Sequence, residues 1–362
     1  MKILITGITG RVGANIARHF LNKDVAVRGL VWKDDRQTEK LELLNAEIVE
    51  GDLALRDDVV RAARGVDVII HLGAAFQAGG PFTPEQYFDT NVKGVFNVLE
   101  AALALGDRLR HLIFVSTDAT VDKYPPGGIL EPLREDSLPL TATAWYGYSK
   151  ALGEHLTDRY FRHENLKNTI MRFASVWGAG EVLDFPQFHL DSFLELFKER
   201  KDSAGIETYR KLKFEHDRVN GRPCLIVARD ENGRSWKKHN LEVRDIVHAF
   251  DRAVGNPNTF GKIYQLGSKT PFRWDELIPY MSEKTGIPYC RVNLATTPTF
   301  YEYDLTAARR DFQYNPWISI RDMIDEAVRF RREGGGPMIA TRVSGASGSV
   351  RKRRLTPAMS KE

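Results

Sequence analysis

Cysteine is scarce in this chain: its 362 residues include two, Cys224 and Cys290, which lie far apart in the sequence. This spacing predicts neither a disulfide framework nor a zinc knuckle, and we expect a reducing compartment and no metal site. Long apolar runs are also missing, since no segment approaches the length needed to span a bilayer. The first residues, MKILITGITG, lack the pattern of a signal peptide. We therefore expect a soluble, cytoplasmic protein without a membrane partner.

An excess of charge is missing from most of the chain. The formal net charge is +4, and residues 333–362 account for all of it with six basic and two acidic residues (6 − 2 = +4). Residues 1–332 sum to zero, so we expect no nucleic-acid partner for the folded body. The terminal segment is rich in Gly and Ser and poor in large apolar residues, which predicts a disordered basic tail over 333–362.

What the chain does have is a regular alternation of apolar strands and amphipathic helices up to Gly178. Near-continuous apolar strands separated by helices are typical of a parallel sheet covered on both faces. We predict an α/β fold with a Rossmann-type, doubly wound parallel sheet in residues 1–178. Residues 179–332, where the alternation stops, are interpreted as a smaller C-terminal substrate-binding lobe that returns some elements to the sheet. The predicted strands of the first part are 2–6, 25–32, 47–50, 66–72, 111–116 and 169–173.

Glycines at 7, 10 and 13 form the motif GITGRVG between the first strand and the first helix. In this context Gly7 permits a tight turn, Gly10 lets the backbone approach a pyrophosphate, and Gly13 allows the helix to pack closely on the strand. The alternative is an ordinary Gly-rich turn. We favour a cofactor-binding turn, whose further candidate residues are Thr9, Arg11 and Val12.

The end of the second strand bears on the choice between NAD and NADP. A carboxylate at this point binds the adenosine ribose where NAD is preferred, but the expected position holds Val31. Trp32, Lys33 and the nearby basic residues can accommodate a 2′-phosphate, so the sequence favours NADP. In the alternative, Asp34 or Asp35 binds the ribose. The basic residues are Arg11, Arg28, Lys33 and Arg36.

Asp52 follows the third strand in the segment EGDL and is a candidate to contact the adenine edge. A turn or N-cap aspartate is the alternative interpretation of the same position, because a short carboxylate readily accepts hydrogen bonds from nearby backbone amides.

Tyr146 and Lys150, in WYGYSKALGE, are four residues apart on a predicted helix, so both side chains lie on one face. A phenol is a poor base at neutral pH, and a nearby ammonium favours its ionised form. Tyr148 lies on a different face. Thr117 is the candidate to hold the substrate oxygen, because it follows a strand that ends at the ligand-binding edge of the sheet. Ser116 and Asp118 remain alternatives to Thr117.

Over residues 1–330 the sequence resembles the extended short-chain dehydrogenase/reductase family, in its NAD(P)-dependent epimerase/dehydratase group. The resemblance implies that Tyr146 acts as acid and base, that Lys150 binds the nicotinamide ribose, and that Thr117 bonds the reacting oxygen. It further implies cofactor contacts by Leu53, Leu72, Gly73, Ala74 and Asn91, although Asn91 can also be a helix N-cap. The segments that carry the resemblance are TGITGRVG (6–13), GDL (51–53), HLGAA (71–75), NVKGVFNVLEAA (91–102), VSTDAT (115–120), YGYSK (146–150), RFASVWGAG (172–180) and VRDIVHA (243–249).

Two departures from the family pattern narrow the expected activity. Members that remove water from nucleotide sugars follow the strand-end Thr with Asp-Glu, whereas Ala119 follows Asp118 here. Dehydration is therefore disfavoured. Ser175 stands where the family often has Asn, which argues against a nucleotide-sugar substrate, and residues 181–240 match no known pattern.

The leading hypothesis is an NAD(P)-dependent oxidoreductase that acts at a secondary alcohol or ketone of a sugar-like or polyhydroxy substrate. The alternatives are an NADPH-dependent reductase of a small carbonyl compound and a non-catalytic NADP-sensing protein. By analogy with the family, we expect a homodimer.

Overall fold

A computed structural model of the chain describes residues 1–35, 37–76 and 82–341. Its strands are β1 (Lys2–Thr6), β2 (Ala26–Val31), β3 (Glu47–Glu50), β4 (Val68–His71), β5 (His111–Thr117), β6 (Asn168–Phe173), β7 (Ser175–Trp177), β8 (Leu225–Arg229), β9 (Lys237–Lys238), β10 (Asn240–Glu242), β11 (Lys262–Leu266), β12 (Phe272–Arg273) and β13 (Tyr289–Asn293). Its α-helices are α1 (Arg11–Leu21), α2 (Arg56–Ala63), α3 (Pro84–Tyr87), α4 (Gly94–Leu103), α5 (Trp145–Glu164), α6 (Leu190–Phe197), α7 (Ser203–Arg218), α8 (Val243–Ala253), α9 (Trp274–Thr285), α10 (Thr306–Phe312) and α11 (Ile320–Glu333).

Within these residues, seven strands form one sheet in the order β11-β6-β5-β4-β1-β2-β3. Every neighbouring pair in it is parallel. The chain runs outward from β1 to β3 and then returns to the other side of β1 with β4, so the direction of winding reverses between β1 and β4. Ligands of such sheets bind beyond the carboxyl ends of the strands at this reversal. The predicted Rossmann-type fold is confirmed.

Burial explains why the central strands read as apolar runs. All seven residues of β5 and all four of β4 are buried, because helices cover both faces of the sheet. The edge strand β3, with the sequence EIVE, is mostly exposed. No helix in the described parts of the chain is long and apolar enough to cross a membrane.

The later part of the chain contributes to the large sheet and also forms a second core. Strand β11 pairs with β6, and α8 packs against α1. The second core is aromatic, with Trp177, Phe188, Trp236 and Trp274 nearly fully buried. It lies between α6, α9 and the short strands β8 and β13, which pair in parallel.

The two cysteines, remote in the sequence, lie close together in this second core. Cys290 is on β13, where it is aligned with Ile226 of β8, and Cys224 immediately precedes β8. Both thiols are free and buried. A hydrogen bond between them lowers the pKa of Cys224. Pairing between β8 and β13, which sequence separation does not predict, produces this proximity.

Residues 337–341 lie against α1, which differs from the predicted disordered tail over 333–362. The amide side chain of Asn15 accepts from Ile339 N at 2.8 Å and donates to Ile339 O at 2.9 Å. The Ile339 side chain is 6% exposed and joins the main core. An isolated apolar pair, Met338-Ile339, therefore anchors a segment whose composition otherwise predicts disorder. The basic cluster at 351–354 lies outside the described residues.

Replacing Ile339 with Ala tests this anchor. We expect the free energy of unfolding to fall by about 2 kcal/mol, because a buried branched side chain is removed from the core. Arg332→Ala, an exposed position on α11, is the control and should leave stability unchanged. Urea denaturation followed by circular dichroism measures both, and equal midpoints for Ile339→Ala and the wild type would show that the anchor contributes nothing.

Candidate active site

The glycine turn between β1 and α1 has the geometry of an anion-binding site. Gly7 has a φ of +72°, and a Cβ on it would lie 2.9 Å from Gly73 N. A Cβ on Gly13 would lie 2.2 Å from Gly7 O, so helix and strand could not pack as they do. The N-terminus of α1 has no side-chain cap and no acidic residue in its first turn. Its free amides are therefore available to a phosphate group.

Of the other predicted cofactor residues, Gly73 and Leu53 lie next to the glycine turn. Gly73 N donates to Thr6 Oγ1 at 3.0 Å, and a Cβ on Gly73 would lie 2.8 Å from Leu53 Cδ1. Leu72 and Ala74 flank Gly73 and are half-buried. The turn at Asp52 is tight, because its Oδ1 accepts from Ala54 N at 2.8 Å. Val12, half-buried, packs against the main core.

Acidic and basic groups meet where β2 ends. The Asp35 carboxylate accepts a hydrogen bond from Thr9 Oγ1, in the glycine turn itself. Lys40 is 1% exposed, and its Nζ donates to Thr9 O at 2.7 Å. Burial lowers the pKa of Lys40 to about 8. Trp32 is 53% exposed and Lys33 is also exposed.

Two of the cations predicted to favour a 2′-phosphate are engaged elsewhere. Arg11 donates to Glu181 Oε1 at 2.8 Å and to Val176 O at 2.7 Å. Arg28 donates to the carbonyl oxygens of Ala62 and Arg64, at 2.7 and 2.8 Å. Neither guanidinium is free for a phosphate. Arg36 lies outside the described residues.

Tyr146, in the first turn of α5, faces the carboxyl end of β5. Its ring packs edge-on against Phe76, with the ring centroids 5.3 Å apart. Burial raises the pKa of the phenol, the negative charge of Asp118 raises it further, and the Thr117 side chain beside it lowers it. Tyr148 is 46% exposed and packs on Trp145, away from this group.

Lys150 lies one turn further along α5 and is 3% exposed. Its Nζ is 4.2 Å from the centroid of the Phe114 ring, and no ion pair with it occurs among the described residues. Burial lowers the pKa of Lys150 to about 7, an effect that the Glu154 charge opposes. An ammonium held this way is poised to bind an incoming polar group.

The three candidates at the end of β5 have different partners. Ser116 Oγ donates to Glu154 Oε1 at 2.5 Å. Asp118 forms an ion pair with Lys123 at 2.8 Å and accepts from Tyr303 Oη at 2.6 Å. Thr117 is the member of the three that lies beside the Tyr146 phenol. It is therefore the one positioned to share an oxygen atom with Tyr146.

A buried ion pair beneath the site was not predicted from the sequence. Arg172 on β6 donates to both oxygens of Glu154, at 2.9 and 2.7 Å, and the two side chains are 6% and 2% exposed. Glu154 lies on the same face of α5 as Tyr146 and Lys150, because the three residues follow one another at intervals of four. That spacing was the signal that could have predicted it.

Asn91 joins two parts of the site. Its Oδ1 accepts from Ala75 N at 2.7 Å, and its Nδ2 donates to Ser149 Oγ at 3.0 Å. It lies in a π-helical segment, Phe88–Lys93, rather than at a helix N-cap. Such segments are frequent at functional sites. Asn91 thus ties α5 to the loop after β4.

Fold and site together define a Rossmann-type protein in which the glycine turn and the pair of Thr117 and Tyr146 follow parallel strands of one sheet at its carboxyl edge. The chain belongs to the NAD dependent epimerase/dehydratase family, whose model matches residues 3–267. It is an oxidoreductase of that family.

Several proteins are similar along most of their length. A 2-alkyl-3-oxoalkanoate reductase of Shewanella oneidensis is 32% identical over 357 residues, which is 88% of this chain and 83% of that protein. A UDP-glucose 4-epimerase of Streptomyces lividans is 29% identical over 305 residues, 79% of this chain and 82% of its own. A short-chain dehydrogenase/reductase superfamily protein of Agrobacterium tumefaciens, solved with bound NAD, has a TM-score of 0.78 and 28% identity, covering 92% of this chain and 98% of its own.

Replacing Gly13 with alanine should mainly destabilise the fold, whereas replacing Gly10 with alanine should mainly weaken NAD binding. Gly13→Ala is expected to lower the free energy of unfolding by about 3 kcal/mol, because its methyl overlaps the Gly7 carbonyl. Gly10→Ala should lose much less stability, since its methyl would lie 3.1 Å from Gly7 O, a tight contact that a small shift relieves. It should weaken NAD binding about tenfold or more by intruding on the pyrophosphate. Thermal denaturation and calorimetric titration with NAD separate the two effects; unchanged affinity in Gly10→Ala would contradict the assignment of the turn.

Proposed function

We propose that the protein is an NAD-dependent oxidoreductase acting at a secondary alcohol or ketone of a small polyhydroxy or hydroxy/oxo substrate. The observation that carries this proposal is the placement of the Thr117 side chain beside the Tyr146 phenol at the end of β5, with the buried Lys150 one turn along the same helix. Family membership supports the cofactor class. The uncapped start of α1 fits a dinucleotide that enters along the carboxyl edge of the sheet, as does Lys150, which is buried and has no ion pair within the part of the chain that the structure describes.

In this proposal the side chains of the protein transfer the proton, and the cofactor transfers the hydride. When bound, the nicotinamide supplies or accepts the hydride at the reacting carbon. Tyr146 Oη donates a proton to the substrate oxygen in reduction and removes it in oxidation. Thr117 Oγ1 donates a hydrogen bond to the same oxygen and holds it in place. Lys150 would bind the nicotinamide ribose, while burial and the charge of Asp118 raise the pKa of Tyr146 and keep the phenol protonated for donation in reduction.

A net reductase of an oxo acid is the second candidate. The similarity to a 2-alkyl-3-oxoalkanoate reductase favours it, as the similarity to a UDP-glucose 4-epimerase favours transient oxidation. A net dehydrogenase or reductase changes the absorbance of NADH at 340 nm stoichiometrically with product, whereas an epimerase produces no net change.

We further propose that the cofactor is NAD, which revises the sequence-based preference for NADP. Asp35 lies on the glycine turn and would repel a 2′-phosphate, while Arg11 and Arg28 are committed to other partners. Lys40 is held by Thr9 O on the inner side of the same turn. A carboxylate at this point suits the two free hydroxyls of an NAD ribose.

The cofactor preference can be measured by calorimetric titration with NAD and NADP. We expect NAD to bind at least about tenfold more tightly, because a phosphate beside the Asp35 carboxylate places like charges together. Asp35→Asn should reduce the difference in affinity between NAD and NADP, mainly by improving the affinity for NADP. Tighter binding of NADP by the wild type would overturn the proposal.

Tyr146→Phe should reduce kcat by about 10²- to 10⁴-fold, because the proton donor is lost. Its affinity for NAD should stay within twofold of the wild type. Tyr148→Phe removes an equivalent hydroxyl from an exposed position of the same helix and should leave kcat unchanged. NADH absorbance on a panel of polyhydroxy and hydroxy-acid substrates provides the rates. If Tyr146→Phe retained the wild-type rate, the phenol could not be the acid and base.

A further inference from the structure

Lys238, on β9, is a buried lysine that the proposed mechanism does not use. Its side chain is 5% exposed, and it has neither an ion pair nor a hydrogen bond among residues 1–35, 37–76 and 82–341. Its Nζ lies 4.5 Å from the centroid of the Phe185 ring. Burial lowers the pKa of Lys238 to about 7. A buried ammonium normally has a charged partner, and one aromatic face compensates little of the lost hydration.

The position of Lys238 connects it to the catalytic group. Strand β10, two residues further on, pairs with β7, which directly follows β6 at the carboxyl edge of the sheet. The charge of Asp118 acts on Lys238 and on Tyr146 alike. Lys238 therefore lies near the carboxylate that follows Thr117, and its contact with Phe185 places it against the aromatic core of the later part of the chain.

Asp118 is not within ion-pair distance of Lys238, and each of its oxygens is engaged by another group. Oδ1 is paired with Lys123 at 2.8 Å, and Oδ2 accepts from Tyr303 Oη at 2.6 Å. Lys123 is also 5% exposed. Among the described residues one carboxylate faces two lysines here, so protonation of both lysines leaves this buried cluster with one uncompensated positive charge.

We propose that Lys238 binds a carboxylate of the substrate, so that the substrate class is a hydroxy acid or oxo acid rather than a neutral sugar or alcohol. This inference rests on the proposed function, which concerns the reacting carbon of the substrate. It adds Lys238 as the residue that orients the substrate through its carboxylate. A single carboxylate neutralises the excess charge of the cluster. A lysine is suited to this role as a compact charge that approaches from one side. Binding the acid group at Lys238 directs the neighbouring hydroxyl or ketone toward Tyr146 and Thr117.

The test compares acids with neutral analogues of the same shape. Two pairs are suitable: D-galacturonate with D-galactose, and 3-hydroxybutyrate with its methyl ester. Rates are measured as NADH formation at 340 nm, and binding by calorimetric titration of the NADH-loaded protein. For at least one pair we expect the wild type to prefer the acid by about tenfold or more, in kcat/KM and in affinity.

Lys238→Met should remove the preference for the acid over its neutral analogue by raising KM for the acid about tenfold. The kcat for the acid and the kinetic constants for the neutral analogue should change little. Its melting temperature should equal or exceed that of the wild type, because an apolar side chain of similar length replaces a buried charge. Lys238→Arg should retain much of the preference. Lys237→Met is the matched control, since the adjacent Lys237 is paired with Glu302 at 3.5 Å, and it should behave as the wild type.

The outcomes separate this inference from the proposed function. Turnover that depends on Tyr146 but shows no preference for acids in either pair overturns the role of Lys238 and leaves the oxidoreductase assignment intact. A preference that persists in Lys238→Met also overturns it, as does the absence of any acid binding. Acid binding that depends on Lys238, without turnover of any compound, supports the site and contradicts the proposed chemistry.

Discussion

The bidentate ion pair between Glu154 and Arg172 is the interaction on which the geometry of the site depends. It joins α5 to β6, and Ser116 adds β5 to the same carboxylate. Tyr146 and Lys150 lie on the same stripe of α5, so their distance from the strand ends is set by this pair. A charge-assisted bidentate contact has a narrow range of geometries, which is what positioning a proton donor requires. Loss of either partner would leave an unpaired buried charge. The same ion pair therefore stabilises the fold and positions the site.

Much of the scaffold was predictable because its signals are local. The predicted strand over 2–6 coincides with β1 and that over 169–173 with all but the first residue of β6, since a buried parallel strand needs little beyond its own composition. The glycine turn was predictable for a related reason: the backbone conformation at Gly7 and the close packing at Gly13 exclude other residues. The spacing of Tyr146 and Lys150 likewise follows from helix geometry alone.

What escaped prediction depends on contacts between distant segments. Lysines are usually exposed, so nothing near Lys123 or Lys238 in the sequence indicates that both are buried. The short strands β9 and β10 are two residues apart in the chain yet pair with different partners, β12 and β7, which local sequence does not indicate. The preference for NADP was drawn from the number of nearby cations, and it weakened once two of them were found committed to carbonyl groups and a carboxylate. Counting charges cannot show where each one points.

The contact between Asn15 and Ile339 joins positions 324 residues apart, which has a consequence for biosynthesis. Strand β11 similarly completes a sheet whose first strand is translated more than 250 residues earlier. The amino-terminal half therefore emerges from the ribosome without the segments that cover α1 and close the sheet edge. Its exposed apolar surface must therefore remain protected from aggregation until these later segments have emerged.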